Sequence, residues 1–372
     1  MYHKILFVFI LMVMLVPFIQ GTFNIFKIRG LKGDIELAPN APFNLDAFTK
    51  VDFQQKKEKY FNDHFGFRND AIRVRNQIYF SFFNKAKAKG VIIGKDYYLY
   101  EENYIKAYFG SDFIGEDSIK VRLQKLKFVQ DALEKKGKTL LFIIAPGKGS
   151  YYPEFIPDEY FKQKKNTSNY EVYCKYLKEL NIKNIDFNSY FIKQKNTSPY
   201  PLYPKYGIHW SHYGSCIAAD SIIRYIEKSR NIDMSNLTWK KVQVENAHDI
   251  DVDIAKGMNL MYDTKFEKMA YPLLEENQDS TKTKPHLVLI GDSFHWPLID
   301  VGILKSFANF NYWYYNKEVY HSKYENPTPI EKIDFMKQIN QNDVFVILST
   351  DANLPNAGWG FIEQAYLQLQ TK

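Results

Sequence analysis

The sequence predicts an α/β domain built on a mostly parallel sheet and set behind an apolar amino-terminal segment. Three observations carry this. Uncharged apolar runs at 140–145, 287–290 and 344–348 have the length and composition of strands covered on both faces. Stretches with apolar residues at helical spacing alternate with them. Two of the runs open directly into glycine-bearing polar loops, Pro146-Gly-Lys-Gly-Ser-Tyr-Tyr-Pro-Glu154 and Gly291-Asp-Ser293, as strands do at the carboxyl edge of an open sheet.

From the amino end, Lys4 precedes an uncharged run over residues 5–19. Those residues rise about 22 Å as a helix, short of a ~30 Å hydrocarbon core, and their neighbours bring the run close to that span. Segment 1–22 is read as a signal peptide or an uncleaved anchor. The anchor is favoured because no Ala-x-Ala site follows, and Ile19 with Gly21 is a poor substitute. Either way the remainder is expected outside the cytoplasm, in the periplasm or at the cell surface. A retained segment would tie it to the membrane. Lys4 stands against Lys27, Arg29 and Lys32, so the flanking charges do not orient the segment.

Residues 23–48, with Pro39 and Pro42, read as an irregular arm. Residues 53–84 read as two helices broken near Gly66, with His64 and Arg68 fixing the break. Gly94-Lys-Asp96 marks the turn of a hairpin between 91–93 and 97–100. Region 23–115 is thus expected to be a linker plus a small helical and hairpin region, and 116–372 the α/β domain. Within the latter, Ile119, Leu123, Leu126, Val129 and Leu133 recur at helical spacing, with Gly137 as a stop. Strand 140–145 follows, then a helix near 170–180 and a strand at 185–187. A helix after His209 carries Ala219, Ile222, Ile223 and Ile226 on one face. Further strands are expected before Ser293, at 310–314 and at 344–348, with a helix opened by Thr328-Pro329 ahead of the last.

The net charge of +7 comes from scattered lysines with no basic block, so nucleic-acid binding is not expected. An anionic membrane surface or an acidic polymer fits that charge. The 28 Tyr and 29 Phe suit a sugar-binding surface and equally an ordinary core. Cys174 and Cys216 form neither a Cys-x-x-Cys pair nor a zinc spacing, and whether they pair is left open. His209 and His212 lack a third ligand at a recognisable spacing, so no metal is expected, and no cofactor is called for.

Three loops should meet at the carboxyl edge of the sheet, carrying Gly147 with Lys148, His209, and Ser293. Gly291 lets the chain turn sharply after its strand, and Ser293 is a nucleophile only if a base lies within hydrogen-bond reach. His209 stands just before a helix that Ser211 can cap, where its imidazole is placed to take the proton of a serine hydroxyl. Alone, Gly-Asp-Ser reads as well as a polar turn.

Five pieces in order resemble the alginate O-acetyltransferase family of the AlgJ/AlgX type, which carries an SGNH-hydrolase-like domain. They are Tyr60-Phe-Asn-Asp-His-Phe-Gly-Phe-Arg68, Val91-Ile-Ile-Gly-Lys-Asp-Tyr-Tyr-Leu-Tyr100, the loop with Pro146, Lys148, Tyr152, Pro153 and Glu154, the pair His209-Trp210, and Gly291-Asp-Ser-Phe294. The resemblance implies an SGNH-hydrolase-like sheet flanked by helices, and acyl transfer through Ser293 with His209 as base. It implies an oxyanion hole from the backbone N–H of Ser293 and the Gly147 loop, with Asn353 as a side-chain candidate; Lys148 and Tyr152 join these as substrate-binding candidates. It further implies a polysaccharide acceptor outside the cytoplasm and a membrane-bound O-acyltransferase partner that supplies acetyl groups.

One departure matters. The family's acid lies two residues before the histidine, and here that position is Gly207. Three readings stay open: another carboxylate replaces it, with Asp186, Asp292 and Asp351 as candidates; a backbone carbonyl orients His209 as part of a dyad; or the site is inactive and the protein binds or scaffolds a glycan. An acetyl esterase would use the same residues with water as acceptor.

Overall fold

The structure is a computed structural model that describes residues 1–33, 36–43, 45–275, 281–322 and 325–370. The chain packs as two units, one of Met1–Val91 with Ile254–Lys265, the other of Ile92–Asp253 with Phe266–Lys372.

The first unit opens with α1 (Tyr2–Phe23), a helix long and apolar enough to cross a membrane, with nearly all of its side chains exposed. It ends at Asn24, in the left-handed region at φ 47°, and the Gln20 amide both donates to the Phe26 carbonyl and accepts from its N–H. The short α2 (Leu45–Phe48) precedes α3 (Val51–His64) and α4 (Arg68–Phe83). The break between the last two falls at Gly66 for a steric reason: a Cβ there would lie 2.0 Å from the Pro17 carbonyl oxygen, so only glycine lets α1 approach the corner. Arg68 pairs with Asp63 at 3.2 Å, and His64 Nδ1 lies 2.9 Å from the Tyr60 carbonyl, both bracing the break.

The second unit begins at the hairpin of β1 (Val91–Ile93) and β2 (Leu99–Glu101), followed by α5 (Glu102–Phe109). The chain then runs α6 (Glu116–Glu134), β3 (Thr139–Ala145), the single turn α7 (Lys148–Tyr151), α8 (Asn169–Glu179), β4 (Asn184–Asp186), α9 (Phe187–Gln194), α10 (His212–Arg230) and β5 (Trp239–Asn246). It continues through the one-turn α11 (Asp253–Gly257), β6 (Lys268–Leu274), β7 (His286–Gly291), α12 (His295–Asp300), β8 (Asn309–Tyr314), β9 (Glu318–Tyr320), β10 (Thr328–Pro329), α13 (Phe335–Gln341), β11 (Val344–Thr350) and α14 (Phe361–Gln370). Tyr100, Ile105, Phe109 and Ile156 form a small core that ties β2 and α5 to the loop after β3.

The main sheet has the order β10-β9-β8-β7-β11-β3-β4. β8, β7, β11, β3 and β4 are parallel, and β9 and β10 add an antiparallel edge. This is the mostly parallel α/β sheet that the alternating pattern predicts. Every residue of β3 and β11 is buried, as continuous apolar runs require of central strands. Their alternate residues serve opposite faces: Phe142, Ile144, Val288, Ile290, Phe345 and Ile347 join one core with α6, α8 and α14.

Two local readings differ from the structure. Thr328-Pro329 pairs with β9 as β10 and opens only a three-residue 3-10 turn, Ile330–Lys332; the α-helix starts after Asp334, whose carboxylate accepts the Lys337 N–H at 2.9 Å. The side-chain cap decides the start. The antiparallel pair β5–β6 was not expected, because β5 is largely exposed and gives no apolar alternation, and its partner is distant in sequence. Cys174 and Cys216 are both free.

Ile347 sits in register with Phe142 on one side and Ile290 on the other, fully buried. Ile347→Ala should destabilise the protein by about 2–5 kcal/mol, through lost burial plus a cavity that neighbouring strands cannot close. Urea unfolding followed by tryptophan fluorescence measures it, and a loss under about 1 kcal/mol would contradict this central placement.

Candidate active site

The strand β7 ends at Gly291, and the turn after it is held by Asp292. This carboxylate is fully buried and accepts from Phe294 N (3.1 Å), Thr350 N (2.9 Å), Thr350 Oγ1 (3.0 Å) and Asn353 Nδ2 (2.8 Å). Burial raises its pKa and the four donors pull it back. The Asp292 carbonyl accepts from the Tyr312 hydroxyl at 2.5 Å. The turn is therefore pinned to β11 on one side and β8 on the other, and Ser293 projects from it at the carboxyl edge of the sheet.

His209 comes from the loop ahead of α10. Ser211 caps that helix, its Oγ accepting from Gly214 N at 2.9 Å, which fixes where the loop must end. His209 Nε2 lies 2.9 Å from Ser293 Oγ. The Phe294 ring packs 4.8 Å from the imidazole and 5.4 Å from Trp210, centroid to centroid.

On the other side of the imidazole, Nδ1 lies 2.6 Å from Asp253 Oδ2, and Asp253 Oδ1 accepts the Ile208 N–H at 2.9 Å. One carboxylate thus holds both the ring and the backbone beside it. Burial alone would lower the His209 pKa; the charge and hydrogen bond of Asp253, with Asp292 and Glu101 adding to it, outweigh burial and leave it raised. A carboxylate–imidazole–hydroxyl relay of this kind fixes one imidazole tautomer and lets the other nitrogen take the serine proton.

None of the three carboxylates expected as a replacement acid touches His209. Asp186 caps α9 through Ser189 N (2.9 Å) and accepts from the Tyr170 hydroxyl (2.8 Å). Asp292 holds the serine turn. Asp351 accepts from Ser150 Oγ at 2.6 Å, and burial pushes its pKa up to about 7. The acid beside His209 is Asp253, the first residue of α11. No spacing rule points to it; the only sequence signal was the acid-rich run Asp249-Ile-Asp-Val-Asp253.

Gly207 explains the exchange. A Cβ there would lie 2.3 Å from the Ile250 carbonyl oxygen and 3.0 Å from the Asp251 carbonyl carbon. The segment that delivers Asp253 passes directly over the position where the family's motif has its acid. An aspartate side chain and this segment cannot occupy that space together.

The remaining candidates are placed as follows. Lys148 is fully buried, and its Nζ donates to the carbonyls of Lys205 (2.8 Å) and Gly207 (2.5 Å). Burial brings its pKa down to about 7. It braces the loop that leads to His209. Gly147 must be glycine because a Cβ would lie 1.8 Å from Asp351 Oδ1. Tyr152 sits in an aromatic cluster with Tyr98, Tyr151 and Phe155, its hydroxyl donating to the Tyr203 carbonyl at 3.1 Å. Asn353 spends its amide on Asp292. Among the described residues no group of three His, Cys, Asp or Glu side chains is arranged to hold a metal ion.

Tyr315 is a neighbour that the sequence did not single out. It follows β8, and its N–H donates to the Gly291 carbonyl at 2.9 Å, which ties it to the end of the serine strand. Tyr315 and Asn316 both adopt the left-handed region, at φ 48° and 49°. Non-glycine residues in that region cluster at functional sites.

A family model described as "SGNH hydrolase-like domain, acetyltransferase AlgX" matches residues 91–297, more than half of the chain. Over 101 residues the chain is 33% identical to a protein of Pseudomonas syringae pv. tomato named probable alginate O-acetylase AlgJ. That match takes in 27% of this chain and 25% of that protein, so the chain spans about a quarter of the curated relative's length. Among solved structures it is similar to the O-acetyltransferase domain of Pseudomonas putida AlgJ, at 15% identity over 75% of this chain and 99% of that one, with a TM-score of 0.49. It is also similar to Pseudomonas aeruginosa AlgX, at 15% identity over 73% and 67% of the two chains, with a TM-score of 0.43. With residues 91–297 matched to that family's model, the chain belongs to the SGNH hydrolase-like acetyltransferase family of AlgX.

Proposed function

We propose that the protein is a serine-dependent O-acetyltransferase that acts on an exported or cell-surface polysaccharide, with Ser293 as nucleophile, His209 as base and Asp253 as the acid that orients it. The observation that carries this reading is the unbroken chain of hydrogen bonds from Asp253 through His209 to Ser293. Family membership supports acetyl transfer. The name of the Pseudomonas syringae relative, an alginate O-acetylase, supports a polysaccharide acceptor of that kind. The apolar α1 supports attachment to a membrane with the α/β unit outside the cytoplasm.

In this mechanism Ser293 Oγ attacks the carbonyl carbon of an acetyl ester or thioester while His209 Nε2 takes the hydroxyl proton. Backbone N–H groups of Ser293 and of the Gly147 loop stabilise the oxyanion. The tetrahedral adduct collapses, the leaving alcohol or thiol departs with the proton from His209, and acetyl-Ser293 remains. A sugar hydroxyl then gives its proton to His209 and attacks the acetyl carbon, forming the new ester and restoring the serine. A membrane-bound O-acyltransferase would supply the acetyl groups.

Hydrolysis of a small acetyl ester by the full chain in detergent, followed by mass spectrometry of an acetylated oligosaccharide, tests the reading. Ser293→Ala should abolish both reactions. Activity equal to wild type in that variant would overturn the assignment.

Asp253→Asn should lower the plateau of kcat/KM by about 10³–10⁴-fold, because the amide no longer enforces the tautomer. A loss smaller than about threefold would remove Asp253 from the mechanism.

The pH profile checks the same group independently. The base works as neutral imidazole and its pKa is raised, so the wild-type acid limb should fall at a pH above the ordinary imidazole value of 6.5. In Asp253→Asn the raising interaction is gone, so the limb should move to lower pH. An unmoved limb would separate Asp253 from the titration of His209.

Gly207→Asp should not restore a missing acid. The new side chain must displace the Ile250 carbonyl, which costs about 1–3 kcal/mol or more as overpacking and drags Asp253 away from the imidazole. Thermal melting and ester hydrolysis should both decline; a gain in turnover would contradict the packing described.

A further inference from the structure

The apolar helix α1 leads directly into a basic pocket in the first unit. The arm after it is fastened at several points. Arg29 Nη2 donates to the Leu260 carbonyl (3.3 Å), Lys32 N donates to Asn259 Oδ1 (2.7 Å), and Asn259 Nδ2 returns to the Lys32 carbonyl (2.9 Å). Arg73 of α4 donates to the Gly30 carbonyl at 2.6 Å, and Asn76 of the same helix donates to the Met258 carbonyl at 2.8 Å. These three pieces enclose a cavity of about 120 Å³ lined by Arg29, Lys32, Arg73, Lys256, Asn259 and Asp263.

The lining has four cations against one carboxylate. Arg29, Lys32 and Lys256 are exposed at the mouth, whereas Arg73 is 2% exposed. Its Nε is buried with no hydrogen-bond partner, and its contact with Asp70 is a long 3.5 Å to a carboxylate that is itself 39% exposed. A guanidinium taken out of water with donors unmade calls for an anion. Burial and the neighbouring charge of Arg29 lower its pKa, which agrees with a positive charge left under-compensated. Arginine's planar fork matches a phosphate in a way a point charge does not.

The source of the phosphate follows from the helix. Arg29 stands six positions beyond Phe23, where α1 ends, and a fully extended chain of that length spans at most ~22 Å. With α1 in a bilayer, the pocket opens at the level of the polar headgroups, where anionic lipids draw basic residues. We propose that this pocket binds the phosphate of an anionic phospholipid, with Arg73 as the buried ligand and Arg29, Lys32 and Lys256 at its mouth. The site is separate from Ser293 and stands whether or not the transferase reading holds; it requires that α1 remain in the membrane.

The test uses the full chain in uncharged maltoside micelles, with phosphatidylglycerol, phosphatidylcholine or inorganic phosphate added and retained lipid counted by native mass spectrometry. Phosphatidylglycerol should be retained as one copy at least about tenfold more tightly than phosphatidylcholine, and less tightly as salt rises. Arg73→Met should abolish the preference. Because that variant removes a buried group and can fail to fold, Lys32→Ser with Lys256→Ser is the second arm: both side chains are exposed, and the pair should lose most of the preference with thermal melting unchanged. Equal retention of the two lipids, or a preference untouched in the folded lysine pair, would overturn the proposal. Displacement of phosphatidylglycerol by inorganic phosphate at the lipid's own concentration would assign a soluble phosphate and overturn the lipid.

Discussion

The 2.6 Å contact between Asp253 and His209 is the interaction on which the rest of the site depends. It sets the ring orientation, and through the Ile208 N–H the same carboxylate sets the backbone from which the ring projects. That contact exists only because residue 207 has no side chain, so the chain over 250–251 can lie against it. Lys148 completes the clamp from beneath, gathering the carbonyls of Lys205 and Gly207 with a buried amine. A lysine in a family loop, a missing aspartate and an acid forty-four residues beyond the histidine are one arrangement.

Asp292 does for the serine what Asp253 does for the histidine. Its four donors come from its own turn, from the end of β11 and from the loop after it. A buried carboxylate held by four donors is rigid as well as satisfied. The serine turn therefore moves only if β11 moves, and β11 lies at the centre of the sheet. Asn353 belongs to this scaffold: Asp292 holds one N–H of its amide and so fixes the plane of the other. The left-handed pair Tyr315 and Asn316 holds the third side of the turn by a different means, through the backbone bond to Gly291.

The sheet was legible because its central strands are uninterrupted apolar runs, a pattern that a strand buried on both faces cannot hide. The helices whose caps are side chains, such as α10 behind Ser211, were legible for the same local reason. What sequence could not supply was anything set by tertiary approach. Asp253 belongs to a segment with no strong periodicity, and only the fold brings it to the imidazole. The pair β5–β6 is half hidden from such a reading, because β6 is buried but β5 is largely exposed and has no buried face to announce it. Thr328-Pro329 carries a helix-start signal that yields only a single 3-10 turn beside the edge pairing with β9, while Asp334 a few residues on caps the α-helix. The loops that carry Lys148 and Asn353 can be read from sequence, but a donor's direction depends on which carbonyl or carboxylate the fold puts beside it.

The steric exclusion at Gly207 has an evolutionary consequence. A chain with aspartate there and the present chain with Asp253 are two solutions that cannot be superimposed, because a side chain at 207 and the backbone at 250 compete for one volume. A lineage cannot acquire the second acid while keeping the first and then discard the redundant copy. The swap has to be made in close succession, with the loss of the old side chain opening the space into which the new segment settles. Homologues should accordingly divide into two groups, with the residue at position 207 and the course of the chain before α11 changing together, and a search keyed to the local motif alone would set the second group aside as relics.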